Sequence, residues 1–94
     1  MPRQIELTRT FRRDHKREKR GALGPRLDDL LQPILDDLAD DRPLPVKCRD
    51  HAMSGDWVDH RNCHVRPDLV LLYRKPDDQR LQLVRLGSHS ELGI

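Results

Sequence analysis

Hydrophobic residues between positions 27 and 38 recur with a helical period. Leu27, Leu30, Leu31, Ile34, Leu35 and Leu38 stand at offsets 0, 3, 4, 7, 8 and 11, with carboxylates between them on the other side. That stripe predicts a helix that buries one face. Pro25 suits its first turn, where the missing N–H costs nothing. Pro33 lies inside it and is expected to kink it, because one backbone hydrogen bond is lost there. Upstream, Gln4 to Thr8 (QIELT) alternates weakly and predicts a short first strand. Thr10 is expected to cap a helix over 11–20 that has few apolar anchors beyond Phe11. Gly21 and Gly24 end that helix, so the two helices read as a hairpin covering apolar surface.

From Val46 onward the pattern becomes strand-like. Val46–Arg49, Arg61–Val65, Leu69–Arg74 and Arg80–Leu86 are the predicted strands. Leu69 to Tyr73 is apolar on both faces, as a central strand requires. Pro76-Asp77-Asp78 reads as the turn joining the last two strands. The predicted order is β-α-α-β-β-β-β in one domain spanning residues 1–94. The fold class is α+β: an N-terminal strand and helix hairpin packed on a twisted, mainly antiparallel sheet of four to five strands.

The composition narrows this further. The 94 residues are 35% hydrophobic and 36% charged. A chain of this length buries only about 60–65% of its unfolded surface, so the core is modest. The clustered, periodic apolar positions argue against disorder throughout. No apolar run approaches the ~20 residues that span a bilayer, and the N-terminus lacks the apolar core of a secretory signal. Cys48 and Cys63 do not make a disulfide framework. The expectation is a cytoplasmic protein with free thiols and no membrane partner.

The net charge of +2 conceals a segregation. Residues 9–20 (RTFRRDHKREKR) carry seven basic and two acidic side chains, whereas residues 26–41 (RLDDLLQPILDDLADD) carry one basic and six acidic. A basic block attracts nucleic acid by displacing counterions. It also fits a solvated helix face paired in part with the acidic helix that follows.

The chemistry-bearing residues lie mostly in the second half. The stretch "CHVRPD", Cys63 to Asp68, puts a thiol, an imidazole, a guanidinium and a carboxylate within six residues. His51, His60, His64 and His89 fall at predicted strand ends or in loops, and only His15 lies in the helical half. A zinc site built from Cys48, His51, Cys63 and His64 is disfavoured, because neighbours on a strand face apart and the spacing matches no tetrahedral motif. For the same reason Cys63 reads as a core residue rather than a nucleophile activated by His64. An acid–base site fits better. Metal-independent RNA cleavage needs a base for the 2′-hydroxyl, an acid for the leaving 5′-oxygen, and cations for the phosphate charge. The imidazoles, Asp68, and Arg61, Arg66 and Arg85 near the strand ends supply these groups. Polar loop histidines are the competing reading.

The segments "LPVKCRDHAMSGDW", "RNCHVRPDLVLLY" and "RLGSHSEL" resemble, in order and spacing, the motifs of the YafQ branch of the RelE/ParE toxin superfamily. The resemblance covers Leu44 to Leu92; the N-terminal half agrees in layout only. It implies a RelE-like fold and a small bacterial toxin of a type II toxin–antitoxin system. Such a toxin cuts messenger RNA in the ribosomal A site and is neutralised by a RelB/DinJ-like antitoxin. DNA is then met only indirectly, through that antitoxin. By this resemblance His51, His64, Asp68 and His89 form the catalytic set, with Arg61 and Arg85 beside it. Arg66, Arg12, Arg13 and Lys16 are further candidates for RNA phosphates. No cofactor and no metal is implied. Trp57 and Tyr73 also match the pattern, and both read equally as core. His64 is expected to point into the site, Cys63 into the core, and Asp68 to begin the next strand.

Two positions depart from the family pattern. Gly93 follows Leu92 where the family places an aromatic, and base–aromatic stacking is typically worth ~1–3 kcal/mol. Asn62 stands where an acid is sometimes found. These departures keep open a weakened homologue that acts mainly by binding its antitoxin in autoregulation. A ParE-like action on gyrase is disfavoured, since such relatives generally lack these acid–base residues.

Overall fold

The computed structural model describes residues 2–94. The elements in chain order are β1 (Gln4–Leu7), α1 (Arg9–Lys19), α2 (Leu27–Ala39), β2 (His51–Ala52), β3 (Arg61–Arg66), β4 (Leu69–Arg74), β5 (Arg80–Gly87) and α3 (His89–Leu92). Single 3₁₀ turns lie at Gly24–Arg26, Val46–Cys48 and Gly55–Trp57.

α1 begins earlier than the sequence suggests because Thr8, not Thr10, caps it. The Thr8 hydroxyl accepts the Phe11 N–H at 3.0 Å and donates to the Val84 carbonyl at 2.9 Å. One side chain thereby ends β1, starts α1 and ties both to β5. α2 buries Leu27, Leu31, Ile34 and Leu38, as the apolar stripe requires, and half-buries Leu30 and Leu35. It is not broken at Pro33, which lies exposed. The carbonyl that loses its amide partner there belongs to Asp29, one turn earlier, and Asp29 is likewise exposed. The charge segregation is used locally: Asp28 of α2 meets His15 at 2.7 Å and Lys19 at 2.8 Å from α1. Exposed pairs like these contribute ~0–1 kcal/mol each.

The sheet order is β1-β5-β4-β3-β2, with β1 parallel to β5 and all other pairs antiparallel. β4 is central and buried along Leu69–Tyr73. Its Leu69, Leu71 and Tyr73 face the helices in the main core with Phe11, Leu27, Leu81 and Leu83. Its Val70 and Leu72 face the opposite side in a smaller cluster with Leu92, Met53, Trp57 and Val84.

The predicted strand Val46–Arg49 is absent. That stretch is a 3₁₀ turn in which Val46 is 94% exposed. Pro45, with no N–H to give a ladder, starts the turn, and Arg49 ends it in the left-handed region at φ 49°. The pairing slot beside β3 is filled instead by the two residues of β2, His51 opposite Asn62 and Ala52 opposite Arg61.

Candidate active site

β3 sorts its side chains by alternation. Cys63 pairs with Leu71 on the helix face, while Asn62 and His64 pair with Leu72 and Val70 on the other face. Cys63 is fully buried, and burial pushes its thiol well above the ordinary range. It remains protonated and inert. His51 on β2 lies opposite Asn62, so it shares the face of His64. Val65 forms a bulge, because His64 pairs with Val70 and Arg66 already with Leu69. Pro67 and Asp68 then make a tight turn. Asp68 therefore stands in that turn, not at the start of β4 as expected, and its side chain is 86% exposed.

His89 arrives from the far end of the chain. It is the first residue of α3, whose cap fixes where the ring stands. The Ser88 hydroxyl accepts the Glu91 N–H at 3.1 Å, and the Glu91 carboxylate accepts the Ser88 N–H at 2.8 Å. This capping box holds even a single turn of helix in place. The His64 and His89 rings meet edge-on with centroids 5.1 Å apart. Asp68 Oδ1 is 4.0 Å from His89 Nδ1, near enough to offer a counter-charge but too far for a hydrogen bond.

His51 has a defined tautomer. Its Nδ1 lies 2.6 Å from the Arg49 carbonyl, which can only accept, so Nδ1 carries the hydrogen. Whenever the ring is neutral, Nε2 therefore holds the lone pair. The His64 pKa is lowered from 6.5, by burial first and then by the charges of His89, Arg49 and His51. His64 is thus held neutral near pH 7.

The cations divide into those with partners and those without. Arg85 lies in register with Leu72, but its guanidinium reaches α1, bonding Asp14 at 2.7 and 3.3 Å. Arg61 alternates onto the face away from His64, and its Nε bonds Asp50 at 3.2 Å. Its expected place beside the imidazoles is not what the register gives. Arg66 lines a cleft with His64. Arg12 lines a different groove, of about 430 Å³, formed with Ile5, Phe11 and Leu31. Arg13 and Lys16 are exposed on α1.

Two acids that sequence reading passed over hold this arrangement. Asp14 is 1% exposed. Beyond the end of β1, where the outer edge of β5 has no strand partner, Asp14 accepts the Leu86 N–H at 3.1 Å and Arg17 donates to the Leu86 carbonyl at 3.0 Å. Arg17 also reaches Glu91 of α3 at 3.1 Å. The three-residue spacing from Phe11, which puts both side chains on one helix face, was the available signal for Asp14. Asp50, the neighbour of His51, accepts from the buried Tyr73 hydroxyl at 2.5 Å and from Arg61. Burial and Asp50 together push the Tyr73 pKa up, so it remains a donor. β2 pairs through only two residues, so this clamp is what steadies His51. Tyr73→Phe is expected to lower stability by about 1.5–3 kcal/mol, the worth of a hydrogen bond to a charged group. Denaturant melts will measure it, and a change under ~0.5 kcal/mol would refute the clamp.

Residues 3–93 match the bacterial toxin of type II toxin–antitoxin systems, YafQ, which extends the likeness well beyond Leu44 to Leu92. The mRNA interferase toxin YafQ of Escherichia coli (strain B / BL21-DE3) is 33% identical over 96% of this chain and 95% of its own length. A metal-bound toxin from Helicobacter pylori is 40% identical, with a TM-score of 0.80 over 98% of this chain and 99% of that one. The toxin–antitoxin complex DinJ-YafQ of E. coli contains a chain 28% identical, with a TM-score of 0.78 over 98% of both chains. The metal belongs to the H. pylori structure. Here, among the described residues, no group of three or more His, Cys, Asp or Glu side chains is disposed to hold a metal ion. Taken with the mixed sheet and its helix pair, these matches establish that the chain belongs to the YafQ family of bacterial toxins of type II toxin–antitoxin systems.

Proposed function

We propose that the chain is an endoribonuclease that cleaves messenger RNA on the ribosome, with acid and base both supplied by side chains. The observation that carries this reading is the convergence of His64 and His89 at 5.1 Å with Asp68 4.0 Å from His89. Two imidazoles in unlike surroundings suit the two proton transfers of phosphodiester cleavage. His64, held neutral, takes the proton from the ribose 2′-hydroxyl. The 2′-oxygen attacks phosphorus, the bond to the 5′-oxygen breaks, and His89 delivers a proton to that leaving oxygen. The products are a 2′,3′-cyclic phosphate and a 5′-hydroxyl. Asp68 faces the His89 imidazolium before it gives up its proton, and His51 shares the His64 face of the sheet. Arg85 is held by Asp14 in a fixed pose, so its guanidinium needs no reorganisation to meet charge on the phosphate. Arg66 lines the cleft beside His64, where it binds a phosphate of the bound strand, and Arg12, Arg13 and Lys16 present charge to ribosomal RNA.

The relative solved with DinJ supports a cognate antitoxin as partner. We assign it an acidic, RelB/DinJ-like segment that covers these cations and silences the toxin. DNA is met only through that antitoxin. Among the described residues no helix is long and apolar enough to cross a membrane, and cytoplasmic action follows from the messenger RNA substrate.

Induced expression in bacteria without antitoxin tests the reading. The wild type is expected to arrest growth, His89→Ala and Asp68→Ala are each expected to relieve the arrest, and co-expressed antitoxin is expected to restore growth. A harmless wild type that still binds antitoxin tightly would replace this reading with an antitoxin-binding module.

A further inference from the structure

A cleft of about 560 Å³ opens beside His64, between the Val46–Cys48 turn, α2 and the end of β3. That volume lies within the ~300–1,000 Å³ typical of ligand sites. Its walls carry Lys47, Arg49 and Arg66 with His64, and its floor includes Leu30 and Val65. No carboxylate lines it. Among the described residues none of these three cations has an ion-pair partner. Elsewhere Arg17, Arg61, Arg80 and Arg85 are all paired with carboxylates. Three like charges left together cost free energy unless an anion joins them.

Arg49 adds a second observation. Among the described residues it is one of two non-glycine residues at positive φ, a conformation that disfavours a side chain with Cβ. That conformation lets one residue do two things. Its carbonyl fixes the His51 tautomer, and its guanidinium lines the cleft beside His64.

We propose that this cleft seats the RNA nucleotide adjoining the scissile phosphate, with Lys47, Arg49 and Arg66 binding its phosphates and Leu30 and Val65 packing on its sugar and base. The inference rests on the nuclease reading and adds Lys47 and Arg49 to the residues that bind substrate. The cleft would hold the strand in line with His64, so its cations govern binding more than the chemical step.

The test is the salt dependence of binding to an uncleavable, 2′-O-methylated RNA pentanucleotide. The variants are Arg49→Asn, chosen because asparagine tolerates positive φ, and a triple variant with Lys47→Gln and Arg66→Gln added. Each single-strand phosphate contact contributes a slope of about 0.7 in log K against log salt. Arg49→Asn is expected to reduce the slope by about 0.7 and the triple variant by about 2. Arg26→Gln, at an exposed cation outside the cleft, is expected to leave the slope at the wild-type value. Cleavage by the triple variant should show a raised KM with kcat within a few-fold of wild type. If the folded triple variant keeps the wild-type slope while the wild type cleaves RNA, the subsite is refuted and the nuclease reading stands. A triple variant that loses binding to a hexaglutamate peptide but keeps its RNA slope would assign the cleft to a protein partner and overturn the proposal. A wild type that never cleaves message overturns the nuclease reading itself, whatever the slope.

Discussion

Asp14→Asn is expected to lower folding stability by about 3 kcal/mol, although Asp14 touches none of the reacting atoms. Asp14 is almost wholly buried and accepts from three residues: the Arg85 guanidinium, the Leu86 N–H and the Arg17 guanidinium at 2.9 Å. An asparagine keeps the size but loses the charge and one acceptor oxygen. That leaves Arg85, itself only 25% exposed, without its counter-charge. Removing one partner of a buried pair typically costs about 3–5 kcal/mol, and the partial exposure of Arg85 puts this case at the low end. For a domain of this size each kcal/mol moves Tm by ~4–8 °C, so a fall of about 12–24 °C is expected. A loss below about 1 kcal/mol would show that the network is ornamental. The pH dependence gives an independent check. Burial alone would raise the Asp14 pKa, but the bonds from Arg85 and Leu86 and the charges of Arg85 and Arg17 outweigh it and hold it below 3.8. A carboxylate with a depressed folded-state pKa stabilises above its unfolded value. That stability is lost as pH falls below 3.8 through the folded value. The wild type should therefore lose stability along that acid limb, and Asp14→Asn should flatten its contribution there.

His64→Gln is expected to lower kcat for message cleavage by about 10²–10⁴-fold, the usual worth of a positioned base, with little change in KM. A fall of less than tenfold on translating ribosomes would remove His64 from the proton transfer. The pH profile is the sharper measurement. His64 must be neutral to act, and burial together with His89, Arg49 and His51 lowers its pKa from 6.5. The acid limb of the wild-type rate should therefore lie below pH 6.5. Arg49→Asn removes one of the charges that depress His64, so its limb should move to higher pH. A wild-type limb at or above pH 6.5, or an Arg49→Asn limb displaced toward acid, would contradict the assignment. The same lowered pKa, with that of His60, implies stability lost as pH falls from 6.5, since the unfolded chain then binds protons the native one refuses.

Much of this molecule was legible in one dimension because the relevant signals are local. The stripe from Leu27 to Leu38 specified α2, since a 3.6-residue period exposes a wrong face in any other conformation. Leu69 to Tyr73 marked the central strand, because only a strand buried on both faces is apolar without alternation. Alternation alone sent Cys63 to the core and His64 to the opposite face. Motif spacing brought His51, His64, Asp68 and His89 forward as one set. What remained hidden depended on partners far along the chain. Thr8 became the cap because Val84 receives its hydroxyl hydrogen. Arg85 met Asp14 across 71 residues. Arg61 turned from the imidazoles because its register opposite Tyr73 put it beside Asp50. Val46–Arg49 gave up the edge position to His51 and Ala52, although its apolar pattern was the more strand-like. A hydrogen bond or ion pair between distant residues leaves no periodicity in the sequence. Only closing the sheet and docking α1 on β5 decides which polar groups lose water together and must satisfy one another.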